Sequence, residues 1–350
     1  MKSALASFAL LSVLVTACGL DELGSKPDEP GGSGGAPAGS GAAGPVGSGS
    51  GSGTGAGSTA SGGGMGGAGG GGMGGAGGVG PGTGGAGGTG GTGGTGGGGP
   101  TCPTGMGGPA LVLVKTTTGA FCVDSTEVTA QQYKAWLDTS PSLPKMNDEV
   151  CGWKFGGSYD PRKGGFECGS EHYQPMSNPN HPVVCIDWCD ARAYCSGVGK
   201  RLCGALDGGG PIDFGTPKTA DIDELSHACS GGINQWLYPY GDKPNDKACV
   251  GDPYDGMDNG EDDSADPVKS AAGCEGGFPG LYDMVGNVWE WENSCETSGS
   301  VQDQKCSTRG GSFWDDMKDL TCTAQYMDHM RGYYNKNIGF RCCADAIPAP

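Results

Sequence analysis

Residues 280–291 read GLYDMVGNVWEW. Leu281, Val285 and Val288 are apolar anchors that alternate with Tyr282, Trp289 and Trp291. Gly286-Asn287 is a turn dipeptide, because both residues tolerate left-handed backbone angles. Two tryptophans then flank one carboxylate, Glu290, and tryptophans this close together dominate local burial. The residues alone leave two readings of Glu290. It is solvated on a core hairpin, or it is buried and must be paired, hydrogen-bonded or metal-bound.

Outward from this stretch, composition divides the chain. It has 350 residues, with 75 Gly, 17 Cys and a net charge of -18. The N-terminus reads MKSALASFALLSVLVTAC. Lys2 is a short positive region, and residues 4–15 form an apolar run too short to span a bilayer. Residues 15–18 (VTAC) then read as a lipobox, so residues 1–18 are expected to be a lipoprotein signal peptide with Cys18 as the lipidated residue. Acyl chains there would anchor an exported protein to a membrane or cell surface without a spanning helix. Residues 19–101 are mostly Gly with Ser, Ala and Thr, a composition that cannot bury enough apolar surface to offset its ordering entropy. A disordered Gly-rich linker with a reach of about 40–50 Å is expected. Collagen is excluded, since Gly does not recur with a strict period of three.

Residues 102–350 form a head of single-domain size. Nearly all the acidic charge lies there, which argues against nucleic acid as a partner. Apart from Cys18, sixteen cysteines remain. An even number in an exported chain without a C-x-x-C pair reads as a disulfide framework rather than a zinc set. Strands are expected at 110–115 (ALVLVK), 120–124 (AFCVD) and 183–186 (VVCI). Thr129 with Gln132 makes a capping box for a helix carrying Tyr133, Trp136 and Leu137 on one face. Asp187 with Asp190 caps a second helix ended by Gly197 and Gly199, and a third is expected at 219–229. Residues 141–179 read as a disulfide-pinned loop. Residues 236–242 (WLYPYGD) are an aromatic turn. The window 252–266 (DPYDGMDNGEDDSAD) is either a solvated acidic loop or a site for a hard cation, and it does not match an EF-hand.

Five stretches, EVTAQQYKAWL, HPVVCIDWCDARAYCSGVGKRL, YPYGD with GLYDMVGNVWEW, RGGSFW and NIGFRC, occur in the order seen in the sulfatase-modifying-factor family. The head is identified as a member of that formylglycine-generating-enzyme family. The resemblance implies an α+β fold: an irregular, C-type-lectin-like, disulfide-rich domain with little regular secondary structure. It implies disulfides Cys195–Cys342 and Cys229–Cys322. It also implies a calcium ion held by carbonyls of Val285, Gly286 and Val288 and by the Glu290 side chain. A second calcium site of the family needs an Asn where this chain has Cys249.

The chain departs from the family at the catalytic cysteines, three and eight residues after the Ser of the GGS motif. Those thiolates bind copper(I), a soft-ligand preference, and exchange disulfide with a substrate cysteine. Here the positions are Asp315 and Leu320, so no catalytic residue and no copper are carried over. The four histidines, at 172, 181, 227 and 329, do not match the family branch with a three-histidine iron site. Two functions follow as expectations. One is a non-catalytic, calcium-stabilised binding module for a surface glycan, peptide or protein. The other is a formylglycine-generating-type oxidoreductase with altered chemistry.

Overall fold

The computed structural model describes residues 99–165, 167–256 and 264–349. Cys18, the Gly-rich linker up to residue 98 and residues 257–263 of the acidic window lie outside the described residues.

Among the described residues, eight short strands and three short α-helices carry the fold. They run β1 (Leu111–Lys115), β2 (Ala120–Asp124), α1 (Ala130–Leu137), α2 (Trp188–Gly197), β3 (Arg201–Leu202), α3 (Glu224–Cys229), β4 (Trp289–Cys295), β5 (Lys305–Arg309), β6 (Gln325–Met330), β7 (Ile338–Gly339) and β8 (Cys342–Asp345). The strands form two four-stranded sheets, ordered β1-β2-β8-β3 and β6-β5-β4-β7. Among the described residues, β4 and β7 are the one parallel pair. The fold is an irregular, disulfide-rich α+β domain.

Local chemistry sets the helix starts. Thr129 Oγ1 accepts from Gln132 N and Gln132 Oε1 accepts from Thr129 N, so both arms of the capping box are made. Asp187 and Asp190 do the same for α2. The third helix is shorter than its sequence suggests. Asp223 Oδ1 accepts from Ser226 N at 2.9 Å, so Asp223 is the cap and residues 219–222 form only a turn. The strand expected at 183–186 is absent. Cys185 has φ 63° and is bonded to Cys168, and a left-handed residue breaks the pleat. The segment is still buried, with Val183 N on the Val128 carbonyl and Cys185 N on that of Asn335.

The signature turn has the backbone its residues permit. Gly286 and Asn287 have φ 76° and 58°. A Cβ on Gly286 would lie 2.2 Å from the Val250 carbonyl oxygen, so this position admits no side chain. Asn287 uses all its polar groups. Its N–H donates to Val250 O, its carbonyl accepts from Phe313 N, its Nδ2 donates to Glu127 Oε1, and its Oδ1 accepts from Asp266 N.

The buried apolar side chains form two main clusters. One is aromatic, with Tyr133, Trp136, Tyr194, Trp291 and Phe340. The other gathers Leu225, Leu281, Phe313 and Leu320. Disulfides staple the loops to this core: Cys102–Cys122, Cys151–Cys189, Cys168–Cys185, Cys195–Cys342, Cys203–Cys343, Cys229–Cys322, Cys249–Cys274 and Cys295–Cys306. The pairs Cys195–Cys342 and Cys203–Cys343 span 147 and 140 residues between neighbouring positions. Either one closes nearly the same loop, so either largely covers for the other. On chain entropy, replacing one pair by alanine costs about 2–3 kcal/mol and replacing both costs about 7–8 kcal/mol. The predicted non-additivity of about 2–3 kcal/mol is measurable by urea denaturation of the two single-bond variants and the double.

Candidate functional site

Glu290 is buried, and its partner is Arg341. Nε of Arg341 donates to both carboxylate oxygens at 2.8 Å, and Nη2 lies 2.7 Å from Oε1. The rest of the guanidinium donates to carbonyls of Asp124 at 3.2 Å, Tyr282 at 3.0 Å and Asp283 at 2.7 Å. Arg341 is 0% exposed. Burial works against its charge, but Glu290, Glu127 and Asp283 outweigh it and hold its pKa above the usual value. The sequence reading did not anticipate this partner. The signal was an arginine inside the apolar run NIGFRCC, which must find an anion.

Glu127 and Asp283 join Glu290 around the one guanidinium. All three carboxyls are buried, and burial raises the pKa of each, that of Asp283 to about 6. Oε2 of Glu127 has no hydrogen bond. Three acidic groups against one cation leave an excess of anionic oxygen, which either protons or a hard cation can neutralise. A carboxylate offers about four lone-pair sites, so Glu290 can meet Arg341 and a cation together. The residues present therefore fit a calcium ion in charge and donor type. Val285, Gly286 and Val288 lie on the adjoining buried turn.

The positions three and eight residues after Ser312 are filled by structural contacts. Oδ2 of Asp315 accepts from Ser312 N at 2.8 Å and from Ser312 Oγ at 2.6 Å. Burial raises the Asp315 pKa and the Ser312 bonds oppose the rise. Asn337 Nδ2 closes the arrangement on Ser312 Oγ at 3.3 Å. Asp315 thus caps the GGS turn. Leu320 is 1% exposed and fills the space left by two glycines. A Cβ on Gly251 would fall 2.2 Å from its Cδ1, and one on Gly311 2.8 Å from its Cδ2.

Cys322 is bonded to Cys229 and Cys195 to Cys342, while Cys343 takes Cys203. All sixteen cysteines among the described residues are paired, so these residues present no thiolate to a metal or a substrate. Cys203, Glu224 and Cys343 cluster closely enough to suggest metal donors, but both sulfurs are in the disulfide and Glu224 is bonded to Arg201. The histidines stay apart in separate contacts. His181 meets the Ala265 carbonyl, His227 those of Ala220 and Lys115, His172 is near Glu171, and His329 stacks on Tyr333.

A model of the sulfatase-modifying factor enzyme 1-like domain matches residues 105–346. The chain belongs to this family. It is 29% identical over 196 residues to the formylglycine-generating enzyme of Bos taurus, covering 49% of this chain and 46% of that protein. It is 32% identical over 183 residues to a Bos taurus protein named inactive C-alpha-formylglycine-generating enzyme 2, covering 48% and 52%. The chain thus spans about half the length of the curated relatives it matches. Among solved structures it is similar to CarF, at 21% identity and a TM-score of 0.43, covering 68% of this chain and 95% of that one. As a family member, the chain keeps the turn, the GGS motif and the GFR arginine while carrying Asp315 and Leu320.

Replacing Arg341 alone strands three buried carboxyls. Arg341→Met is expected to destabilise the protein by about 3–5 kcal/mol, with part recovered when Glu290→Gln is added. Urea denaturation of wild type, single and double variants measures both numbers.

Proposed function

We propose that this sulfatase-modifying-factor domain is a non-catalytic, calcium-stabilised binding module, carried on the Gly-rich linker and held at a cell surface by a lipid on Cys18. The observation that carries the reading is the fate of the two reactive positions. Asp315 is committed to Ser312 and Leu320 to the core, and the neighbouring Cys322 is half of a disulfide. A hard carboxylate and a hydrocarbon do not replace soft thiolates at copper(I), and neither forms a mixed disulfide. Function belongs to the site rather than the fold. The similarity to a relative named as inactive agrees with this reading. The partner class is a glycan, peptide or protein at the surface.

Calcium enters the proposal as a structural ion. Glu290 and the carbonyls of Val285, Gly286 and Val288 would hold it, and its charge would offset the buried carboxyl excess. These ligands lie next to the Arg341 centre, so the ion would act on stability rather than on chemistry.

Two measurements test the reading. The full chain, incubated with copper, oxygen and a peptide containing Cys-x-Pro-x-Arg, is expected to yield no aldehyde by mass spectrometry, and aldehyde product would overturn the non-catalytic reading. Calcium at about a hundred times its Kd is expected to add about 2.7 kcal/mol, a rise in Tm of about 5–11 °C for a domain of this size. Chelation should reverse the rise, magnesium should not reproduce it, and Glu290→Gln should abolish it. An unchanged Tm in the wild type would remove calcium from the proposal.

A further inference from the structure

Beside α3 lies a cavity of about 210 Å³ whose lining includes Thr219, Asp221, Ser230, Gln235, Trp236 and Thr323. It combines one aromatic wall with hydroxyls, an amide and a carboxylate. We propose that it is a binding subsite for a single neutral sugar ring, with Trp236 as the stacking face. This rests on the binding-module reading above and assigns it a place and a ligand class.

The cavity is built rather than incidental. The Cys229–Cys322 disulfide joins its two sides, since Ser230 follows one half-cystine and Thr323 the other. Trp236 N donates to the Ser230 carbonyl at 3.0 Å, and Cys322 N to that of Leu237 at 2.9 Å, so the aromatic wall is tied to both. Ser230 is 4% exposed and its Oγ has no hydrogen-bond partner. A buried hydroxyl left unpaired costs free energy that a ligand hydroxyl can recover. Gln235 has φ 52° and ψ 38°, the left-handed region that a residue with a side chain seldom adopts. Backbone strain of this kind gathers at ligand sites. It leaves the Gln235 amide over the cavity beside Asp221, to which Nε2 donates at 3.4 Å.

The donor set selects the ligand. Serine, threonine, glutamine and aspartate offer both donors and acceptors at short range, which suits vicinal hydroxyls, while an indole face suits the apolar side of a ring. An anionic ligand is disfavoured. Among the described residues no cation lines the cavity, the Arg309 bonded to the lining Ser226 Oγ is also committed to the Cys322 carbonyl and Asp223, and the exposed Asp221 adds negative charge to the lining. The volume holds one ring and leaves no room for a folded partner, and a specific protein interface needs about 20–30 residues a side.

The test is saturation-transfer NMR on the full chain with glucose, galactose, mannose, N-acetylglucosamine and, as the anionic comparison, glucuronate. At least one neutral sugar is expected to bind in the millimolar range, with glucuronate at least fivefold weaker. Trp236→Ala should weaken binding at least tenfold. Gln235→Gly separates a binding role from a structural one. It relieves the left-handed backbone and so should raise the unfolding midpoint, while loss of the amide weakens binding several-fold. Binding of none of the neutral sugars, equal binding by Gln235→Gly, or preference for glucuronate would overturn the proposal. The readout is a dissociation constant and is independent of aldehyde formation, so failure here is distinguishable from failure of the non-catalytic reading.

Discussion

The buried contact between Arg341 and Glu290 holds the two sheets to one another. Arg341 stands between β7 of one sheet and β8 of the other. Its guanidinium meets Glu290 of β4 on one side and the Asp124 carbonyl at the end of β2 on the other. Its remaining bonds hold the carbonyls of Tyr282 and Asp283, at the entry to the signature turn. A planar, permanently charged fork can satisfy four groups in fixed directions, which lysine cannot. Because the whole contact is removed from water, each lost bond would leave a buried group without a partner, and that penalty exceeds the net gain of an ordinary hydrogen bond.

Around this contact the fold relies on covalent and capped structure more than on long elements. The longest helix is ten residues and the longest strand seven, too short for local propensity to contribute much. Eight disulfides reduce the freedom of the unfolded chain and hold loops such as 141–179 against the core. Asn287 supplies a similar service without covalent bonds, since its four polar groups join the signature turn to Val250, Phe313, Glu127 and Asp266.

Much of this was legible in the residues. The capping pairs Thr129–Gln132 and Asp187–Asp190 follow from side-chain chemistry at fixed spacing, and β1 and β2 from short apolar runs between turn residues. What the sequence did not reveal has a common cause: it depends on contacts far apart in the chain. The segment 183–186 has strand composition, yet Cys185 is drawn into a left-handed conformation where it bonds Cys168. The helix expected at 219–229 starts only at Glu224, because Asp223 caps it through Ser226 N. Glu290 was recognised as a carboxylate needing a partner, but nothing local identifies a residue 51 positions away as that partner. Nothing local to Glu127 or Asp283 marks them as its neighbours either.

The positions three and eight residues after Ser312 also bear on how the scaffold packs. A thiol pair poised for exchange must be partly accessible and ionisable, so it contributes little to packing. In this chain both positions contribute. Asp315 supplies acceptors to the Ser312 N–H and hydroxyl, closing the GGS turn. Leu320 takes the space between Gly251 and Gly311 and adds to the apolar cluster beneath the same turn. Eight disulfides supply a second constraint, since a free reactive thiolate among them could attack any accessible sulfur and reshuffle the pairing. Asp315 and Leu320 thus add rigidity to a head already pinned by its disulfides.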